Sequence, residues 1–70
     1  MTERFIKCIA SHVTKAISEI RRAREKIDAA RPETSYGQVL FALIDGNLLG
    51  ALSSELDAHE LIVTRRGDLR

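Results

Sequence analysis

Residues 6–30 read IKCIASHVTKAISEIRRAREKIDAA, with apolar side chains recurring at Ile6, Ile9, Val13, Ala16, Ile20, Ala23, Ile27 and Ala30. The steps alternate three and four residues without a slip, which is a heptad repeat of a and d positions. No Gly or Pro interrupts the run, so it predicts one long helix. Ile6, Val13, Ile20 and Ile27 take the a positions; Ile9, Ala16, Ala23 and Ala30 take d. Three alanines on one seam let a second helix approach closely. Phe5 and Ile17 flank that seam and widen the apolar face.

The flanking residues set the ends. Thr2 is a plausible N-cap, with Glu3 in the positive first turn. Pro32 disfavours helical geometry at Arg31 and stops the helix. Ser35 and Gln38 make an S-x-x-Q capping box, which starts a second helix. That helix reads on to about residue 65. Arg65 and Arg66 suit its negative end, and Gly67 suits a left-handed C′ position. The reading is one all-α domain over 1–70, with helices at about 3–31 and 35–65. The short connection makes them an antiparallel two-helix hairpin. A rival reading takes Asp45-Gly46 as a type I′ β-hairpin turn, and a middle one puts a kink or irregular turn at Gly46 to Gly50. Its flanks lack strict alternation, and an isolated hairpin is marginal in water.

A turn near residue 33 pairs positions whose numbers sum to about 67. Ile27 then faces Leu40, Ala23 faces Ile44, Ile20 faces Asn47 and Gly46, Ala16 faces Ala51, Val13 faces Ser54, Ile9 faces Ala58 and Ile6 faces Leu61. Large residues mostly meet small ones, as interdigitated packing wants. This pairing leaves a second stripe of Phe41, Leu48, Leu52, Leu56 and Val63, with Phe5 and Ile17 beside it. Two helices cannot bury both faces alone. The expected solution is a homodimer forming a four-helix bundle, with Ile17, Leu48, Leu52 and Leu56 at its interface.

A chain of 70 residues buries a small core, and such chains often lean on a disulfide, a metal or a partner. The single cysteine, Cys8, excludes an intramolecular disulfide and points to a reducing compartment. The start of the chain has no secretory apolar region, and the continuous apolar run Val39–Ile44 is too short to span a bilayer. The expectation is a cytoplasmic protein with no membrane partner. The net charge of +1 is unevenly spread. Residues 1–31 hold eight basic side chains against four acidic ones, and residues 32–70 hold three against six. Segments of opposite sign favour lying side by side.

No enzyme constellation is present: no nucleophile–histidine–acid set with an oxyanion loop, no phosphate-binding glycine loop, no paired carboxylates in a cleft. No cofactor is expected. Cys8 and His12 on the first helix and Glu55 and His59 on the second face one another in the expected register, a donor set zinc could use. Their spacing matches no known ligand motif, so a His–Glu contact beside a buried thiol is preferred and no metal is assigned. Arg21, Arg22, Arg24, Lys26 and Arg31 form a basic face that could meet phosphates. Arg21 with Glu25, and Arg24 with Asp28, partly neutralise it at i, i+4. Tyr36, beside the turn and near Arg31, has the amphipathic character of an interface anchor. Tyr36, Arg31, Arg24 and Phe41 are therefore the candidate partner-binding residues.

Small size, a heptad helix closing at Ala30-Arg31-Pro32 and an apolar second helix from Tyr36 together resemble small phage early proteins that silence host regulators. The type resembled is the phage-encoded quorum-sensing anti-activator. The resemblance implies a helical homodimer that binds a LuxR-type transcriptional activator and, as a further target, a pilus-assembly ATPase. It rests on architecture, and the candidate contact residues come from the chain's own chemistry. Secretion-chaperone adaptors and RNA-binding bundle proteins share the outline. The functional expectation is a non-enzymatic inhibitor that occludes a host protein. A small nucleic-acid-binding regulator ranks second.

Overall fold

The computed structural model describes residues 3–69. Helix α1 spans Glu3–Ala29, helix α2 spans Ser35–Thr64, and a 3-10 helix, Arg66–Leu69, closes the chain. The long helices pack antiparallel as a hairpin. They end within two residues of the expected bounds. Thr2, the expected cap of α1, lies outside the described residues. Residues 38–52 are helical throughout, so Asp45-Gly46 makes neither a hairpin turn nor a break. The molecule measures 52 × 14 × 13 Å, with a radius of gyration of 16.1 Å. A compact chain of this length would have about 11 Å. Two helices of roughly 40 and 45 Å, at 1.5 Å per residue, account for that rod.

The connection is built differently in detail. Thr34, not Ser35, is the N-cap of α2: its hydroxyl accepts from the Gly37 N–H at 3.0 Å. Gln38 N–H donates to the Thr34 carbonyl at 3.0 Å, closing the first turn. Pro32 lies against this turn. A Cβ at Gly37 would stand 2.9 Å from Pro32 Cβ and 3.0 Å from Thr34 Oγ1, so the glycine is what lets the turn close so tightly. At the other end Gly67 does not take the left-handed conformation, since no described glycine has positive φ. Arg65 donates to Leu61 carbonyl at 2.8 Å and Asp68 to Arg65 carbonyl at 3.0 Å, so the chain tightens into the 3-10 helix. The Leu61 and Arg65 carbonyls are satisfied that way, without a left-handed cap.

The seam is where structure and expectation part. The buried apolar side chains are Ile6, Ile17 and Leu52. Half-buried beside them are Val13, Ile20, Arg24 and Ile27 on α1, and Phe41, Asp45, Leu48, Glu55 and Ile62 on α2. Helix α1 therefore keeps its a positions and adds its e positions, Ala10, Ile17 and Arg24, while the d alanines Ala16 and Ala23 stay half-buried and Ile9 and Ala30, also at d, are exposed. Helix α2 is turned by one residue, about 100°. Phe41, Leu48, Leu52 and Ile62 face α1 where Leu40, Asn47, Ala51 and Leu61 had been expected. The cross-helix pairs Arg24–Asp45 and Glu3–Arg66 each sum to 69, not 67. The physical reason is area. Setting α1 against the small or polar Asn47, Ala51, Ser54 and Ala58 would bury little, whereas Leu48 and Leu52 remove more apolar area from water.

Two outcomes follow for stability. Leu52→Ala should lower the unfolding free energy by about 2–3 kcal/mol in urea titration, while Leu49→Ala, at an exposed position, should stay within about 0.5 kcal/mol. Gly37→Ala should lower the melting temperature, because the clash with Pro32 outweighs the better helix propensity of Ala; a rise would show that the turn has slack.

Candidate protein-binding surface

The four partner-binding candidates do not share one environment. Tyr36, in the first turn of α2, is 76 % exposed. Arg31, in the connection, is exposed as well. Phe41 is half-buried on the side of α2 that faces α1. Arg24 is committed within the chain: its Nε donates to Asp45 Oδ1 at 2.9 Å and its Nη2 reaches Oδ2 at 3.4 Å. The hydrogen bond and charge of Asp45 hold the Arg24 guanidinium more firmly protonated than an ordinary arginine, with Asp28 adding a weaker attraction. Arg24 thus stays cationic at any physiological pH, and its charge is spent on α2. Tyr36 and Arg31 remain as accessible groups at the closed end.

Tyr36 has apolar neighbours on its own helix. Val39 and Leu43 follow at i+3 and i+7, are 60 % and 61 % exposed, and lie on the side of α2 away from α1. An aromatic ring and two branched aliphatics, with the exposed Arg31 in the connection that precedes them, offer a contact surface without any catalytic pairing of groups. A shallow depression farther along α2 is lined by Asp57, Glu60, Leu61, Thr64 and Arg65, all from its last turns and the residue beyond. It is an open groove on the molecular surface.

The side chains expected at a dimer seam are placed by the hairpin itself. Ile17 and Leu52 are buried between α1 and α2, Leu48 is half-buried there, and Leu56 is 41 % exposed. Cys8, His12, Glu55 and His59, weighed above as a donor set, are not gathered: among the described residues no three His, Cys, Asp or Glu side chains converge on a metal position. Cys8 is exposed, not buried. On the basic face Arg22 stands 4.0 Å from Glu19, both well exposed, and Arg21 and Lys26 are exposed too.

Two features escape a reading of the sequence. Asp45 there marks a turn, yet it is the carboxylate that receives Arg24. The available signal was a lone acid in an otherwise uncharged stretch, Tyr36–Ser54, which must find a cation or water. The second is the extent of α2's exposed apolar surface. Helix α2 is long and apolar enough to cross a membrane by length and composition, although no continuous apolar run in it is long, and only 6 % of the qualifying window is buried.

Arg24→Ala and Asp45→Ala should each lower the melting temperature, and the double variant should lose less than the two together, with the coupling shrinking as salt is added. Strict additivity would mean that the pair contributes nothing to the seam. The chain matches no protein-family model, no curated protein and no solved structure.

Proposed function

We propose that this chain is a non-enzymatic binding protein that works as a homodimer and inhibits a protein target by covering a surface the target needs. The observation that carries the reading is the exposure of Tyr36, Val39 and Leu43 on the open side of α2, with Arg31 exposed in the connection before it. Aromatic and aliphatic side chains held out by a rigid helix, with an arginine at the edge, are what protein interfaces use as anchors. A helix also presents them at low entropic cost, since the backbone is already ordered. By its resemblance to quorum-sensing anti-activators, the target class is a LuxR-type transcriptional activator, and the inhibited event is its dimerisation or DNA binding. Occlusion needs no chemistry from the inhibitor, only affinity and position.

A second reading has its own observation. Arg21, Arg22 and Lys26 lie exposed on α1 and could follow a phosphate backbone. It ranks below the first because Arg24 is withdrawn into the ion pair with Asp45, and Glu19 and Glu25 dilute what remains.

The two readings separate in one set of measurements. With a purified LuxR-type activator, the protein should release the activator from its operator. Tyr36→Ala should weaken that effect by about 2 kcal/mol, roughly thirtyfold in affinity, without changing helicity. Arg31→Ala should mainly slow association with an acidic target. Unchanged affinity in Tyr36→Ala would remove the closed end as the site. Tight binding to mixed RNA or DNA that collapses between low and moderate salt, and fails in Arg21→Glu with Arg22→Glu, would replace the first reading with the second.

A further inference from the structure

The geometry points to one flat flank of the hairpin as the self-association face, occupied by a second copy that sets its α2 against α1 and its α1 against α2. This rests on the homodimer reading and specifies it. At about 100° per residue, antiparallel packing brings α1's d positions and α2's displaced stripe to the same flank. From α1 come Ile9, exposed, and Ala16 and Ala23, half-buried at the edge of the seam; from α2 come Leu40, Ile44 and Ala51, all exposed. Ile9 is 43 %, Leu40 40 % and Ile44 41 % exposed. None of the six is charged. The opposite flank differs: Leu49 and Leu56 of α2 share it with Lys7, Arg21 and Asp28 of α1. The hairpin covers the a side of α1's heptad seam and only part of its d side, and the uncovered edge is what a four-helix bundle requires, because each of its helices meets two neighbours.

Area and charge name the occupant. The chain exposes 5565 Å² at 7.8 kDa. A compact monomer of that mass would expose about 4,400 Å². The excess, roughly 1,200 Å², exceeds the 800 Å² or so that each partner covers in a standard interface. Residues 1–31 carry +4 and residues 32–70 carry −3. A two-fold axis parallel to the helices puts α1 of one copy on α2 of the other, so unlike segments adjoin all round the bundle. An axis across the helices would set +4 against +4. In the parallel-axis arrangement Ala23 meets Ile44 of the second copy and Ala16 meets its Ala51. Tyr36, Val39 and Leu43 stay outside, free for a target.

The test has three parts. Sedimentation equilibrium on the wild type at micromolar concentration should give twice the chain mass; a monomer overturns both the homodimer reading and this face, and a monomer that floats with phosphatidylcholine vesicles shows lipid as the occupant. In a Cys8→Ser background, Ala23→Cys protein mixed with Ile44→Cys protein should form the mixed disulfide far faster than either variant forms its own. A stable dimer that links Ala23→Cys to itself, or that gives no mixed disulfide, leaves the homodimer standing and removes this face. Finally, Ile44→Asp should raise the dimer dissociation constant at least a hundredfold while the helices persist, and Leu49→Asp on the opposite flank should change it less than threefold. Equal effects from the two, or the reverse order, overturn the assignment.

Discussion

A pair of helices can bury one stripe on each, and α2 is apolar on more than one. That limit governs the rest of the molecule. The chain spends its best-packing stripe, Phe41–Leu48–Leu52–Ile62, on α1, because those side chains remove most area from water. Most of what else is apolar on α2 is left outside. Among the described residues only Ile6, Ile17 and Leu52 are buried, so the hairpin's own core is thin for a chain of 70 residues.

With so little burial, the ends and the polar pairs matter more than they would in a larger domain. Glu3 and Arg66 tie the open end, where both helix termini would otherwise fray. Arg24 and Asp45 tie the seam near the closed end. The turn is held by Thr34 capping Gly37 with Pro32 packed beneath. These contacts are half-exposed or at the surface, so each is modest in energy. Their larger role is register: they admit one sliding position of α2 along α1, where apolar contacts alone are tolerant of shifts. A rigid rod of fixed register is what allows a contact stripe such as Tyr36–Val39–Leu43 to be presented without an ordering cost at binding.

The proposed division of surface follows from the same geometry. The face of α2 opposite α1 is offered to a target, and the flank shared by both helices to a second copy. Val39 and Leu43 point about 100° away from Leu40 and Ile44 around α2, and Tyr36 lies at the rim between the two surfaces, one turn before Leu40. An inhibitor arranged this way presents two target-binding stripes per dimer and gains from their joint engagement wherever the target is itself two-fold.

The sequence by itself determined the two helices, their order and their antiparallel arrangement. A heptad repeat without Gly or Pro, a Pro at 32 and hydroxyl caps at 34–35 are local signals, and local hydrogen bonding and sterics are enough to act on them. It also determined that apolar surface would be left over, because composition alone exceeds what one seam holds. Only the tertiary structure decided which stripe goes inside. Helix α2 is apolar nearly all round between Tyr36 and Leu52, so its periodicity does not mark an inner side. A rotation of one residue exchanges Leu40 for Phe41 and Ala51 for Leu52 with little change in local energy. The choice was made by complementarity with α1 and by Arg24 finding Asp45, two long-range terms that no window of sequence contains. The same rotation moved Ile17, Leu48 and Leu52 from the expected dimer seam into the hairpin. It left Ile9, Leu40 and Ile44 outside.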